Sequence, residues 1–303
     1  MILLYIRLFY KFSYILIYMV LESIFPTKEL LKSNVLLFVY TAFISVISIT
    51  VAYVFYKSSA SILTIAFITI AFIYFLNSIY FHKEKEVLSK ERSFFGRYMF
   101  IIEVYIKIFV VIAIIFTVLY VFLPTNYRTV VFKEQTKTLT SVGNLRSSIN
   151  IAGNFFINSP FNLFLYIFLN NLGVLLAILL FSFIYGVGAI FINIYQASVF
   201  GTFVGVKILS FLSTAEQSMS GQALAFLQGS ISGLGLLPHG TFELLAYFLA
   251  CIVGGIVSAI LHGHYIDVRK NLKRIILDMS IILGVAVVFL LIGAIIEANI
   301  VLG

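Results

Sequence analysis

Residues 161–210 read FNLFLYIFLNNLGVLLAILLFSFIYGVGAIFINIYQASVFGTFVGVKILS, a run of about 50 residues whose one charge is Lys207. At about 1.5 Å of helical rise per residue, the run is too long for one crossing of a hydrocarbon layer of about 30 Å and long enough for two. A soluble fold cannot hide so much continuous apolar surface. The chain therefore reads as an all-α, polytopic transmembrane helix bundle, with this run broken in two near Gly186 and Gly188.

The composition outside that stretch agrees. Of 303 residues, 62% are hydrophobic and 11% charged, against roughly 25% charged in soluble domains. Further spans are expected at about 35–56, 60–80, 99–123, 239–261 and 275–298, giving about seven crossings. Arg7, Lys11, Tyr14, Tyr18 and Glu22 fall on one face of Met1–Phe25, the pattern of a helix lying in the membrane interface. Residues 212–237, with Gly221, Gly229, Gly233 and Gly235, are only moderately apolar and predict an amphipathic or re-entrant segment. Residues 124–160 are the longest polar stretch and are expected outside the bilayer. A division follows into 1–98 (amphipathic helix, hairpin of spans, basic loop) and a transmembrane domain over 99–303.

The formal charge of +8 is read as topology and contact with lipid headgroups. Arg7, Lys11, Lys28 and Lys32 precede the first span, Lys83, Lys85, Lys90, Arg92 and Arg97 follow the second, and Arg269, Lys270, Lys273 and Arg274 fill the loop before the last. Basic flanks stay in the cytoplasm, so a cell-membrane protein with its N-terminus cytoplasmic and its C-terminus outside is expected. No phosphate-binding glycine loop, aromatic and basic interleaving or zinc spacing supports nucleic-acid binding. The one cysteine, Cys251, lies in an apolar segment, which excludes an internal disulfide.

Polar groups inside spans carry the functional signal, since an ionisable side chain at mid-bilayer costs roughly 2.5–3.5 kcal/mol on insertion scales. Glu103 with Lys107 and Arg274 with Asp278 are i, i+4 pairs near span ends, where snorkelling serves them. Pro238-His239-Gly240-Thr241-Phe242-Glu243 is the stronger feature: a proline suited to a first helical turn, then His239 and Glu243 sharing a face. Asn170, Asn171, Glu297 and Asn299 are expected at the same depth, in the outer half. Four readings of that cluster stay open: a hydrogen-bonded knot, a metal site, a proton-linked path and a partner pocket. His262 and His264 lie at the far end of the same helix, about 35 Å away, and cannot join it. Gly201 with Gly205, and Gly229 with Gly233, give GxxxG spacings read as helix packing within the protein.

Leu236-Leu237-Pro238-His239-Gly240-Thr241-Phe242-Glu243-Leu244-Leu245-Ala246 resembles the PHGxxE signature of the stage II sporulation protein M family. Asn170-Asn171 resembles that family's paired asparagines at the start of a span, and a glycine-rich helix through Gly254-Gly255 follows the signature. Gln196-Ala197 stands where the family usually has an Asn-Gly pair. The resemblance covers about 99–303, with the hairpin at 35–80 as an addition. It implies a non-enzymatic membrane scaffold, similar to the one that gathers the stage II sporulation proteins D and P. Membrane lipids and membrane or envelope proteins are the expected partners; no cofactor, metal or catalytic residue is expected. Alternatives are an ion- or proton-coupled transporter or channel using the His/Glu cluster, and an intramembrane metal-dependent hydrolase.

Overall fold

Ser33 opens the first long helix by accepting the N–H of Leu36 on its Oγ at 3.2 Å, which satisfies one of the donors a first helical turn leaves without a partner. The computed structural model describes residues 27–88, 94–140, 160–182, 187–235, 237–261 and 268–302. Among them every regular element is helical. In chain order they are α1 (Thr27–Lys32), α2 (Asn34–Phe55), a 3-10 turn at Lys57–Ser59, α3 (Ala60–Leu88), α4 (Phe94–Phe122) and α5 (Thr125–Val131). A helical segment at 133–140 follows, then α6 (Pro160–Ser182), α7 (Val187–Thr214), α8 (Met219–Leu234), α9 (Leu237–Leu261) and α10 (Val268–Leu302). Met1–Phe25, expected as an interfacial helix, and His262 and His264 lie outside the described residues.

Six of these helices, α2, α4, α6, α7, α9 and α10, contain stretches long and apolar enough to cross a membrane. The further crossing expected at 60–80 falls on α3, which with the turn before it contributes the shorter apolar stretch Lys57–Ile73. Of the break expected near Gly186 and Gly188, Gly186 lies outside the described residues and Gly188 belongs to α7.

The helices are apolar on the outside and carry small polar groups within. In α2, Val35, Phe38, Val39, Phe43, Val46 and Ile47 are exposed while Thr41, Ser45 and Ser48 are buried. This reverses the soluble pattern and suits a lipid solvent, in which small hydroxyl residues let helices approach. Several hydroxyls bond to their own helix: Thr41 Oγ1 donates to the Leu37 carbonyl at 2.8 Å, and Thr202 Oγ1 to that of Ser198 at 2.7 Å. Tyr40 and Tyr105 are fully buried with Phe72 and Phe116 in the shared core.

Both GxxxG spacings pack helices within the chain. Gly201 lies against the backbone carbonyl of Ala113 and Gly205 against the ring of Tyr120, while Thr117 Oγ1 donates to the Gly201 carbonyl at 2.9 Å. Phe109 meets Phe200 on the same pair of helices, so α4 and α7 run parallel. Gly229 lies against Ile208, and Gly233 against Val204, so α8 runs antiparallel to α7. With 16 residues, α8 is about 24 Å long and too short to cross. Val204 lies ten residues before Thr214, which puts the end of α8, and with it the start of α9, about 15 Å inside that end of the bundle.

The described part of the polar stretch after α4, up to residue 140, packs on the bundle. Beyond Pro124 the chain turns back instead of leaving the bundle: Val131, Phe132 and Gln135 are buried, and the Phe132 ring meets Phe116 and Tyr120 edge-on. Ser61 Oγ donates to Gln135 Oε1 at 2.7 Å, and Gln135 Nε2 donates to Ser198 Oγ at 3.1 Å. Composition misleads here because the threonines bond to their own helix, Thr136 Oγ1 to the Phe132 carbonyl and Thr138 Oγ1 to that of Glu134. A hydroxyl satisfied in that way does not need water.

Candidate functional site

Asn171 stands midway along the apolar stretch Pro160–Phe181 of α6, about 16 Å from its start, and is 7% exposed. Its amide is used at both ends. Nδ2 donates to Glu243 Oε1 at 2.5 Å, and Oδ1 accepts the hydroxyl of Tyr247 at 2.8 Å. Glu243 and Tyr247, four residues apart on α9, share the face turned towards α6. Glu297 of α10 is close enough to interact electrostatically with both. One amide therefore ties two helices, and a third places a second carboxylate nearby.

Asn171 is midway along its own stretch, while Glu243 stands near the start of Gly240–Ser258 and Glu297 near the end of Leu272–Ile300. The hairpin of α7 and α8 starts α9 inside the bundle, which brings Glu243 to the level of Asn171. Around it, Phe242 meets Phe289 of α10 edge-on, and Phe248 packs on Tyr105 and Phe109 of α4. One turn beyond Tyr247, Cys251 is fully buried and donates to the Ala189 carbonyl at 3.4 Å.

Not all the residues singled out in the sequence meet here. Asn170 is exposed, because consecutive helical residues point about 100° apart and only one of an asparagine pair can face inwards. Asn299 is also exposed, and its Nδ2 donates to the Ile295 carbonyl of its own helix at 2.9 Å. Pro238 and His239 belong to the first turn of α9, but their side chains lie outside the described residues; Gly240 has open space where a Cβ would stand. Tyr247 was missed. Its signal was its place four residues after Glu243, which puts its hydroxyl on the carboxylate's face. Glu103 and Lys107 form the expected pair at 2.6 Å, and Asp278 is buried.

Chemically, the arrangement can brace helices, and it sets two carboxylates near one another. Among the described residues no three His, Cys, Asp or Glu side chains converge to hold a metal ion.

Long apolar helices, an inside-out polar pattern and a buried amide bridge define a multi-pass helical membrane protein. The family model for stage II sporulation protein M matches residues 35–301, and the chain belongs to that family. The match takes in the α2–α3 hairpin, whereas the motif resemblance reached back only to about residue 99. No significant match to the chain was found among curated proteins or solved structures.

Proposed function

We propose that the protein is a multispanning scaffold of the stage II sporulation protein M type that organises partner proteins in the membrane. The observation that carries this reading is Asn170. Its amide is exposed at the middle of the α6 span, about 100° round the helix from a neighbour whose amide is engaged at both ends. Placed in hydrocarbon without a partner, such an amide costs roughly 2–7 kcal/mol; covered by a polar group on another protein's helix, it becomes an interhelical hydrogen bond. The Asn171 bridge suits the same role. It engages an amide, a carboxylate and a phenol within the chain and holds α6 fixed while its outer face stays available.

Purification from host membranes in mild detergent tests the reading. The wild-type chain is expected to carry a stoichiometric membrane partner that Asn170→Leu releases without lowering thermal stability. A wild-type chain that travels alone, and is indistinguishable from Asn170→Leu, contradicts it.

A second reading, proton or ion passage, would use the two carboxylates that α9 and α10 bring near one another, Glu243 and Glu297. In that case Glu243→Gln abolishes flux in proteoliposomes. Flux that is absent, or unchanged by the substitution, removes this alternative.

A further inference from the structure

Where α4 ends and the chain turns back through α5, a cavity of about 580 Å³ opens between that turn and α7. Arg128 and Lys133 line one side and Val206 and Leu209 the other. Among the described residues no carboxylate lines it, and neither cation has an acidic partner.

Arg128 is held in place from behind. Its Nη1 donates to the Tyr120 carbonyl at 3.2 Å, its Nη2 donates to Thr125 Oγ1 at 3.0 Å, and its guanidinium lies 5.3 Å from the centre of the Tyr120 ring. Two of its five N–H groups are thereby used, and three remain for a ligand. Thr125 accepts from Arg128, so its own hydroxyl proton is free to donate. Lys133 is exposed and adds three donors and a second positive charge.

We propose that this cavity binds a phosphate group, carried by the headgroup of an anionic lipid. A planar guanidinium beside an ammonium is a phosphate-recognising pair. The position fits a lipid: Tyr120 lies two residues before the end of the apolar stretch Met99–Phe122, at the depth where headgroups lie. The size fits as well. Small-molecule sites run from about 300 to 1,000 Å³, so the cavity holds a headgroup with its glycerol, and Val206 and Leu209 face the start of the acyl chains.

The test is binding of phosphatidylglycerol, phosphatidylcholine and inorganic phosphate to the delipidated full chain, followed by native mass spectrometry and by thermal shift. Phosphatidylglycerol is expected to bind and raise the melting temperature, and phosphatidylcholine is not. Lys133→Gln and Arg128→Gln are each expected to weaken binding about tenfold, with Lys137→Gln, an exposed lysine outside the cavity, unchanged. Arg128 also supports the turn, so Lys133→Gln, with a lipid-free melting temperature equal to wild type, decides the matter if Arg128→Gln fails to fold. Binding of inorganic phosphate with the same dependence on Lys133 supports the phosphate site and assigns it a soluble ligand. No binding by either probe, or lipid binding that Lys133→Gln leaves intact, overturns it.

Discussion

The Asn171 amide donates to the Glu243 carboxylate from the middle of one membrane-spanning stretch to the first turn of another. At that depth water does not compete, yet an interhelical hydrogen bond in a membrane contributes only about 0.6 kcal/mol on average. Its larger weight lies in what its loss exposes. A buried carboxylate or phenol left without a partner costs about 1–3 kcal/mol.

Asn171→Leu is therefore expected to destabilise the protein by about 1–3 kcal/mol, since it strands Glu243 and Tyr247 together. Asn170→Leu, one residue away on the exposed face, is expected to stay within about 0.5 kcal/mol of wild type. Thermal unfolding in one detergent compares them; equal losses would show that the two side chains are not distinguished by facing.

The glycines divide in the same way. Gly229→Leu is expected to separate α7 from α8, because even a Cβ there would stand 2.5 Å from the Ile208 Cα, and Gly201→Leu to separate α4 from α7. Gly173→Ala and Gly284→Ala meet nothing within 4 Å and are expected to be neutral or to gain up to about 1 kcal/mol of helix propensity. Melting temperatures and yields of folded protein check the contrast, which fails if all four behave alike.

Much of this was legible beforehand, and the failures share a cause. The run from Phe161 to Ser210 announced two helices, and Pro238 a helix start, because length and proline chemistry are local. Facing is not local. Asn170 and Asn171 are equivalent in sequence until packing chooses one, and nothing local marks Tyr247 before its hydroxyl finds Asn171. The segment at 125–140 looked aqueous because threonine, lysine and glutamine were counted as polar, although the bonds from Thr136 to Phe132 and from Gln135 to Ser61 and Ser198 supply what water would have supplied.

That segment yields a labelling prediction. Gln135→Cys is expected to resist a bulky membrane-impermeant maleimide, whereas Lys137→Cys, at an exposed position, reacts. Rapid labelling at both sites would mean that the segment leaves the bundle.

Orientation gives another. If the basic flanks stay in the cytoplasm, as the positive-inside rule expects, the C-terminus lies outside, and alkaline phosphatase fused after Gly303 is expected to be active and a fluorescent protein fused there dark. The reverse pair of signals would invert the topology.

The bridge between α6 and α9 is tested most directly by a double-mutant cycle on Asn171→Ala and Glu243→Ala, measured by reversible unfolding in mixed micelles. The expected result is a coupling energy of about 0.5–2 kcal/mol between the two positions. Strict additivity, with each substitution costing the same whether or not the other is present, would contradict it.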